Sequence, residues 1–257
     1  MPIIIGNAIL VGSGGTAASV PSVPEFRFSV NSAERGTSNV DQFTIPINAG
    51  TFNYDISTDD GYSATGVTGA HTITFPSGAG THNVVITGTF PGMRYADGND
   101  DQKLLTIDNW GIYGVGSTSQ RFAFWGCSNL VVNATDTGDF SQVSNFQRAF
   151  RACSSITTIL SLDFSSATNC QELFYFASNI TTFPANMFDN SPATNYTNAF
   201  ARTNLTTQSI DNILVSIDTA GGTSGTFNQS YGSAPSAVGL AAKDSLVAKG
   251  WTVVYTV

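Results

Sequence analysis

Two histidines, three cysteines and a few grouped carboxylates are the residues of this chain whose types could do chemistry. His71 and His82 fall in or beside expected strands, eleven positions apart, and neither has a carboxylate at an i+2 or i+4 offset. A histidine pair on neighbouring strands can hold a metal ion; without a carboxylate at such an offset, ordinary strand histidines are the expectation. Cys127, Cys153 and Cys170 are odd in number and lack a Cys-x-x-Cys spacing, which argues against a disulfide framework and a zinc site. Asp97, Asn99 and Asp101 match the first three ligand positions of a calcium loop. Gln102 stands where that loop needs glycine and no bidentate glutamate follows, so a solvated loop is expected. Asp163, Glu172 and Asp189 are the acids a glycan hydrolase would need in pairs, but they fall at unrelated repeat positions. Gly12–Gly15 has no strand–turn–helix context for a nucleophile elbow. Asn133, Asn179, Asn195, Asn204 and Asn228 each open an Asn-x-Ser/Thr triplet, a chance product of an Asn/Thr-rich chain. The expectation is no enzyme: no catalytic residue, no cofactor and no metal.

Composition points the same way. Hydrophobic residues form 41% of the chain, enough for a real core, while charged residues are only 11%, so Ser, Thr, Asn and Gln must supply the polar surface. The net charge of −8 argues against nucleic acid as a partner, because phosphate binding rests on clustered Lys and Arg. No stretch approaches the ~20 apolar residues that span a bilayer, so membrane insertion is not expected.

The elements that would carry such a surface are short. Residues 1–24 read as an N-terminal arm and linker. Ile3, Ile4, Ile5, Ile9, Leu10 and Val11 give the arm its apolar content, with no basic residue before them as a secretion signal would have, and Ser13–Pro24 is Gly/Ser/Pro-rich. An arm of this kind can add to a partner's sheet edge through main-chain hydrogen bonds. Residues 25–100 alternate with period two at Phe26/Phe28/Val30, Phe43/Ile45/Ile47, Phe52/Tyr54/Ile56, Ile73/Phe75 and Val84/Ile86, which predicts a compact β-sandwich.

Residues 101–257 follow a longer period. Phe124, Phe150, Phe174 and Phe200 each precede an aliphatic residue, Leu130, Ile156, Ile180 and Leu205, which recurs at steps of 26, 24 and 25 residues. Cys127, Cys153, Ala177 and Thr203 share one register, the mark of a small buried slot. The residues before each Phe read as a short helical turn, as in Asn145–Phe150 and Tyr196–Phe200. One strand and one turn per ~25 residues is the unit of a leucine-rich-type solenoid. Ser209–Ile217 and Ser236–Lys249 read as helices and Trp251–Val257 as a closing strand, an α/β C-terminal cap. The fold class expected is mainly β with short helices.

The unit Ala149-Phe150-Arg151-Ala152-Cys153-Ser154-Ser155-Ile156 and its three partners resemble the BspA-type leucine-rich repeat surface proteins, as do Ser209–Asp218 and Ala234–Lys243. Residues 26–90 are similar to the PKD-like or Ig-like sandwich that precedes such repeats. Ser57–Gly61 stands where that sandwich carries an Asp-Trp-Gly-Asp-Gly turn, without the Trp and with the first Asp replaced. The resemblance implies attachment or assembly, in a bacteriophage virion protein or a bacterial surface adhesin. The expectation is a capsid decoration or fibre, or a tail-fibre-type attachment protein. Its arm would contact other virion proteins or copies of itself, with a host surface protein or glycan as a further partner. The alternative is a secreted adhesin at the bacterial surface.

Overall fold

The computed structural model describes residues 24–96, 98–159 and 162–256, so the arm residues Ile3, Ile4, Ile5, Ile9, Leu10 and Val11 lie outside it. The fold is mainly β, with two helices and several sheets, none of them closed. Strands β1 (Phe26–Asn31), β3 (Asn53–Thr58), β4 (Ser63–Val67), β6 (Thr81–Thr89), β7 (Leu104–Asn109) and β8 (Val131–Val132) form one sheet in the order β4-β3-β6-β1-β7-β8. Strands β2 (Gln42–Ile45) and β5 (His71–Thr74) form a separate antiparallel pair. Alternation decides which side chains go inward: Phe26, Phe28 and Val30 of β1 are buried, and Phe28 meets Phe43 of β2 with ring centroids 5.9 Å apart.

Position 100 does not interrupt the sheet. β7 pairs antiparallel with β1, setting Ile107 opposite Phe28, and β8 then pairs parallel with β7. One hydrophobic core runs from Phe26 to Trp251. The loop before β7 is pinned by a buried ion pair. Asp100 accepts hydrogen bonds from the backbone of Thr37, Ser38 and Thr44 and from the Ser38 hydroxyl. Lys103 Nζ donates to Ser38, Asn39 and Gln42. Both side chains are buried, and burial pulls the Lys103 pKa down against the opposing pull of Asp100 and Asp41. Gly36 lies where any Cβ would strike Asp100 and Lys103.

From Ser119 onward the chain builds parallel rungs. Isolated bridges join Ser119 to Asn145, Asn145 to Asn169, and Asn169 to Asn195 in β9 (Asn195–Tyr196). β9 then pairs parallel with β10 (Thr226–Ser230), and β10 with β11 (Thr252–Thr256). Helices α1 (Thr207–Thr219) and α2 (Ala237–Ala248) connect these last rungs, with Thr206 and Ser236 as N-caps.

Around each register Phe the chain makes consecutive turns rather than the expected helical turn. Every second backbone N–H is donated to the next rung: Phe122 to Gln147 O (3.0 Å), Phe124 to Ala149 O (2.7 Å) and Gly126 to Arg151 O (2.9 Å). The pattern repeats from Arg148, Phe150 and Ala152, and again from Glu172, Phe174 and Phe176. The other N–H groups close the turns locally, as Ala123 to Gln120 O and Cys127 to Phe124 O. Aiming alternate N–H groups along the stack puts two residues per rung in the left-handed region. These are Phe122, Arg148, Glu172 and Asn198 (φ 66, 59, 54 and 54°), and four residues later Gly126, Ala152, Phe176 and Arg202 (φ 90, 60, 63 and 62°). Such a conformation costs a non-glycine residue about 1–2 kcal/mol, and none of the eight is β-branched.

Phe124, Phe150, Phe174 and Phe200 stack between these turns, with centroids 5.1, 5.4 and 5.9 Å apart and planes within 26°. The file of rings continues into the six-stranded sheet through Trp110 and Tyr113, which contact both Phe124 and Phe26. Leu130, Ile156, Ile180 and Leu205 are buried beside it. Phe150 has a ring on each side, so Phe150→Ala should lower unfolding free energy by about 3–5 kcal/mol in chemical denaturation. A loss below about 1 kcal/mol would show that the ring file does not carry the rungs.

Candidate functional site

Side chains at the left-handed slots and beside them form a strip of alternating guanidiniums and aromatic rings. Arg121 lies over the Phe122 ring at 4.1 Å, with Arg94 at 5.2 Å and Arg148 at 5.8 Å from the same centroid. Arg148 and Arg151 lie over Trp125 at 5.4 and 5.0 Å, and Arg151 over Tyr175 at 4.8 Å. Arg202 lies over Phe176 at 4.7 Å and over Tyr231 at 5.1 Å. Energetically significant contacts of this kind occur about once per 70–80 residues, and here they gather on one strip. Five of the chain's seven arginines are in it, although the chain as a whole carries −8.

The rungs set the order of the strip. The segment carrying Arg94 donates Tyr95 N–H to Ala123 O and Ala96 N–H to Phe122 O, which places it one step before Arg121. Arg121 heads a column that continues as Gln147 and Gln171, whose side-chain amides are joined at 2.7 Å. Asn145, Asn169 and Asn195 form a second amide column, in which Asn195 donates to Asn169 at 3.2 Å.

A single carboxylate enters the strip among the described residues. Arg148 grips Glu172 with two donors, Nε and Nη2, each 3.1 Å from its oxygen, and Arg151 Nη1 closes on the same group. Two-donor pairing of this kind is the strong, orientation-specific mode of guanidinium–carboxylate recognition.

The residues singled out earlier lie elsewhere. His71 is on β5, where its Nε2 is 2.5 Å from the Tyr62 hydroxyl and burial lowers its pKa. His82 is on β6, stacked on Phe75 at 3.7 Å, and its Nε2 lies 3.0 Å from Gly78 O, so that nitrogen is the donor. Its Nδ1 is 3.6 Å from Asp60, and Asp59, Asp60 and His82 are the group among the described residues whose spacing suits a metal ion. Those groups are already engaged. Asp60 accepts from Thr58 and Ser77, and Asp59 accepts from Asn83. Burial pushes the Asp60 carboxyl up, but hydrogen bonds from Thr58, Ser77 and Tyr62 outweigh it and hold the pKa down at about 2. Strand offsets could not reveal this cluster, because Asp60 comes from the turn between β3 and β4.

In the loop read as a solvated acidic run, Asp97 lies outside the described residues and Asp100 is the buried partner of Lys103. Asp163 accepts from Ser165 N–H and Asp189 from the Ser216 hydroxyl, so with Glu172 they are three separately engaged acids. Cys127, Cys153 and Cys170 are buried, and burial raises each thiol pKa. The strip itself is not visible in the sequence: the 24–26-residue period extended back from each Phe gives the column Phe122, Arg148, Glu172 and Asn198, which holds one of its five arginines.

Comparison of the chain with family models, curated proteins and solved structures finds no match. Among the described residues, no helix is long and apolar enough to cross a membrane.

Two measurements check this assignment. The low Asp60 pKa means its carboxylate stabilises the fold above the ordinary value of 3.8, and the contribution disappears as pH falls from about 4 to about 2. Asp60→Asn should therefore be less stable than the parent at neutral pH, with the gap closing towards pH 2 in urea titrations; a gap independent of pH contradicts the geometry. The three thiols should resist a maleimide reagent in the native chain and react after denaturation. Rapid native labelling would show that they are accessible.

Proposed function

We propose that the chain is a non-enzymatic attachment or assembly protein, a bacteriophage virion structural protein of the capsid-decoration, fibre or tail-fibre type. In this reading an Ig-like β-sandwich carries a short leucine-rich-type solenoid with an α/β cap, and the arm anchors it to other virion proteins or to its own copies. The observation that carries the proposal is the strip from Arg94 to Tyr231: repeated rungs hold outward groups at fixed spacing, over a file of buried rings. A fixed, extended array of side chains suits recognition of a surface or polymer, because its ordering entropy is met by folding and not by binding. The engagement of Asp163, Glu172 and Asp189 in separate contacts favours this reading over glycan hydrolysis, which needs two carboxyls facing one bond.

The test uses particles from cells producing either the full chain or a chain lacking residues 1–12. The full chain should co-purify with particles and the truncated one should be soluble, folded and absent from them. Absence of the full chain from particles overturns the virion reading, and normal incorporation of the truncated chain overturns the anchoring role of the arm.

A further inference from the structure

We infer that the arginine–aromatic strip binds a linear acidic polysaccharide, its sugar carboxylates seated on the guanidiniums flanking Glu172. The inference rests on reading the chain as a binding protein, and goes beyond it in naming the ligand chemistry.

Charge is the first argument. The chain has 18 acidic and 10 basic residues, yet five arginines gather on the strip, which makes it an attractive site for anions on an otherwise repelling molecule. Geometry is the second. A guanidinium stacked on a ring has its face covered and its N–H donors left in the plane, directed at whatever lies beside it. Glu172 shows what such donors accept: a carboxylate gripped by Arg148 with two bonds and touched by Arg151. At the equivalent slots the other rungs have Phe122, Arg148 and Asn198, so a carboxylate is supplied from within at one rung only. Arg121 and Arg94 on one side, and Arg202 on the other, can offer the same donors to carboxylates from outside.

The remaining groups select the polymer. The rungs spend backbone N–H and C=O groups on one another, which leaves side chains as the ligand's partners. Gln147, Gln171 and the Asn145–Asn169–Asn195 column are held in place by bonds to one another and to the N–H two residues after each Asn, and their remaining donors and lone pairs suit sugar hydroxyls. Phe176 and Tyr231 remain 42% and 53% exposed with Arg202 lying over both rings, and that remaining ring surface suits the apolar C–H groups of a sugar. Rungs follow one another at the spacing of parallel strands, about 4.8 Å, so a linear polymer lying along them meets related groups at each step.

Affinity electrophoresis of the full chain through gels containing polygalacturonate, dextran or inorganic polyphosphate tests the inference. Polygalacturonate should retard the chain, dextran should not, and polyphosphate should retard it less at equal charge. Retardation should weaken as salt rises. Arg121→Ala combined with Arg202→Ala should reduce affinity by roughly tenfold or more, as expected for lost charge-assisted hydrogen bonds, with an unchanged thermal midpoint. Lys243→Ala, which removes a charge on α2 away from the strip, should bind as the parent does. No retardation by polygalacturonate, equal or greater retardation by polyphosphate, or equal losses in the arginine and Lys243 variants would each overturn the inference. A chain that enters particles normally but ignores polygalacturonate refutes the ligand class alone. A chain absent from particles that still binds it refutes the virion reading alone.

Discussion

The donation of every second backbone N–H from one rung to the next is the constraint on which the second half of the molecule depends. A chain that makes consecutive turns while aiming alternate N–H groups along the stack passes through the left-handed region twice per rung. Those two residues are costly individually, and the ladder together with the buried ring file offsets the cost. Side chains that turn inward between them become Phe124, Phe150, Phe174 and Phe200, while the left-handed slots range from buried Phe122 and Glu172 to exposed Phe176 and Arg202. Core and strip are two outcomes of one backbone arrangement.

The same arrangement ties the two halves together. β7 serves the antiparallel sheet through β1 and starts a parallel pairing through β8, so one strand belongs to both ways of building. Trp110 and Tyr113 follow directly after it and join the ring clusters. The Asp100–Lys103 knot then clamps the loop after β1 onto the approach to β7. It is expensive to bury, but its donors and acceptors are met by backbone groups and the Ser38 hydroxyl, the condition under which a buried ion pair is tolerated.

Much of this was legible in the sequence where the signal is local. Period-two alternation located β1, β2, β3, β5 and β6, and the helices expected at Ser209–Ile217 and Ser236–Lys249 are α1 and α2. β4 was not visible: Ser63–Val67 is an edge strand with no buried residue, so it carries no alternation. The role of β7 was not visible either, since pairing with a strand some 80 residues earlier leaves no trace in spacing. Turns were mistaken for helix because both bring i and i+3 close, and only φ distinguishes them. The strip escaped for a similar reason. Its arginines, at 94, 121, 148, 151 and 202, follow no single period, because they come from several columns brought together by the rungs.

The left-handed slots also govern how this surface can vary through descent. Their occupants here are Phe, Arg, Glu, Asn, Gly and Ala, and a change to valine, isoleucine or threonine at any of them would strain the backbone before it altered recognition. One residue away, the Arg121–Gln147–Gln171–Thr197 column has no such restriction and already includes threonine. A lineage diversifying its specificity would thus draw on two different residue alphabets in adjacent columns. Aligned relatives should show β-branched residues entering one column and stopping at the border of the next.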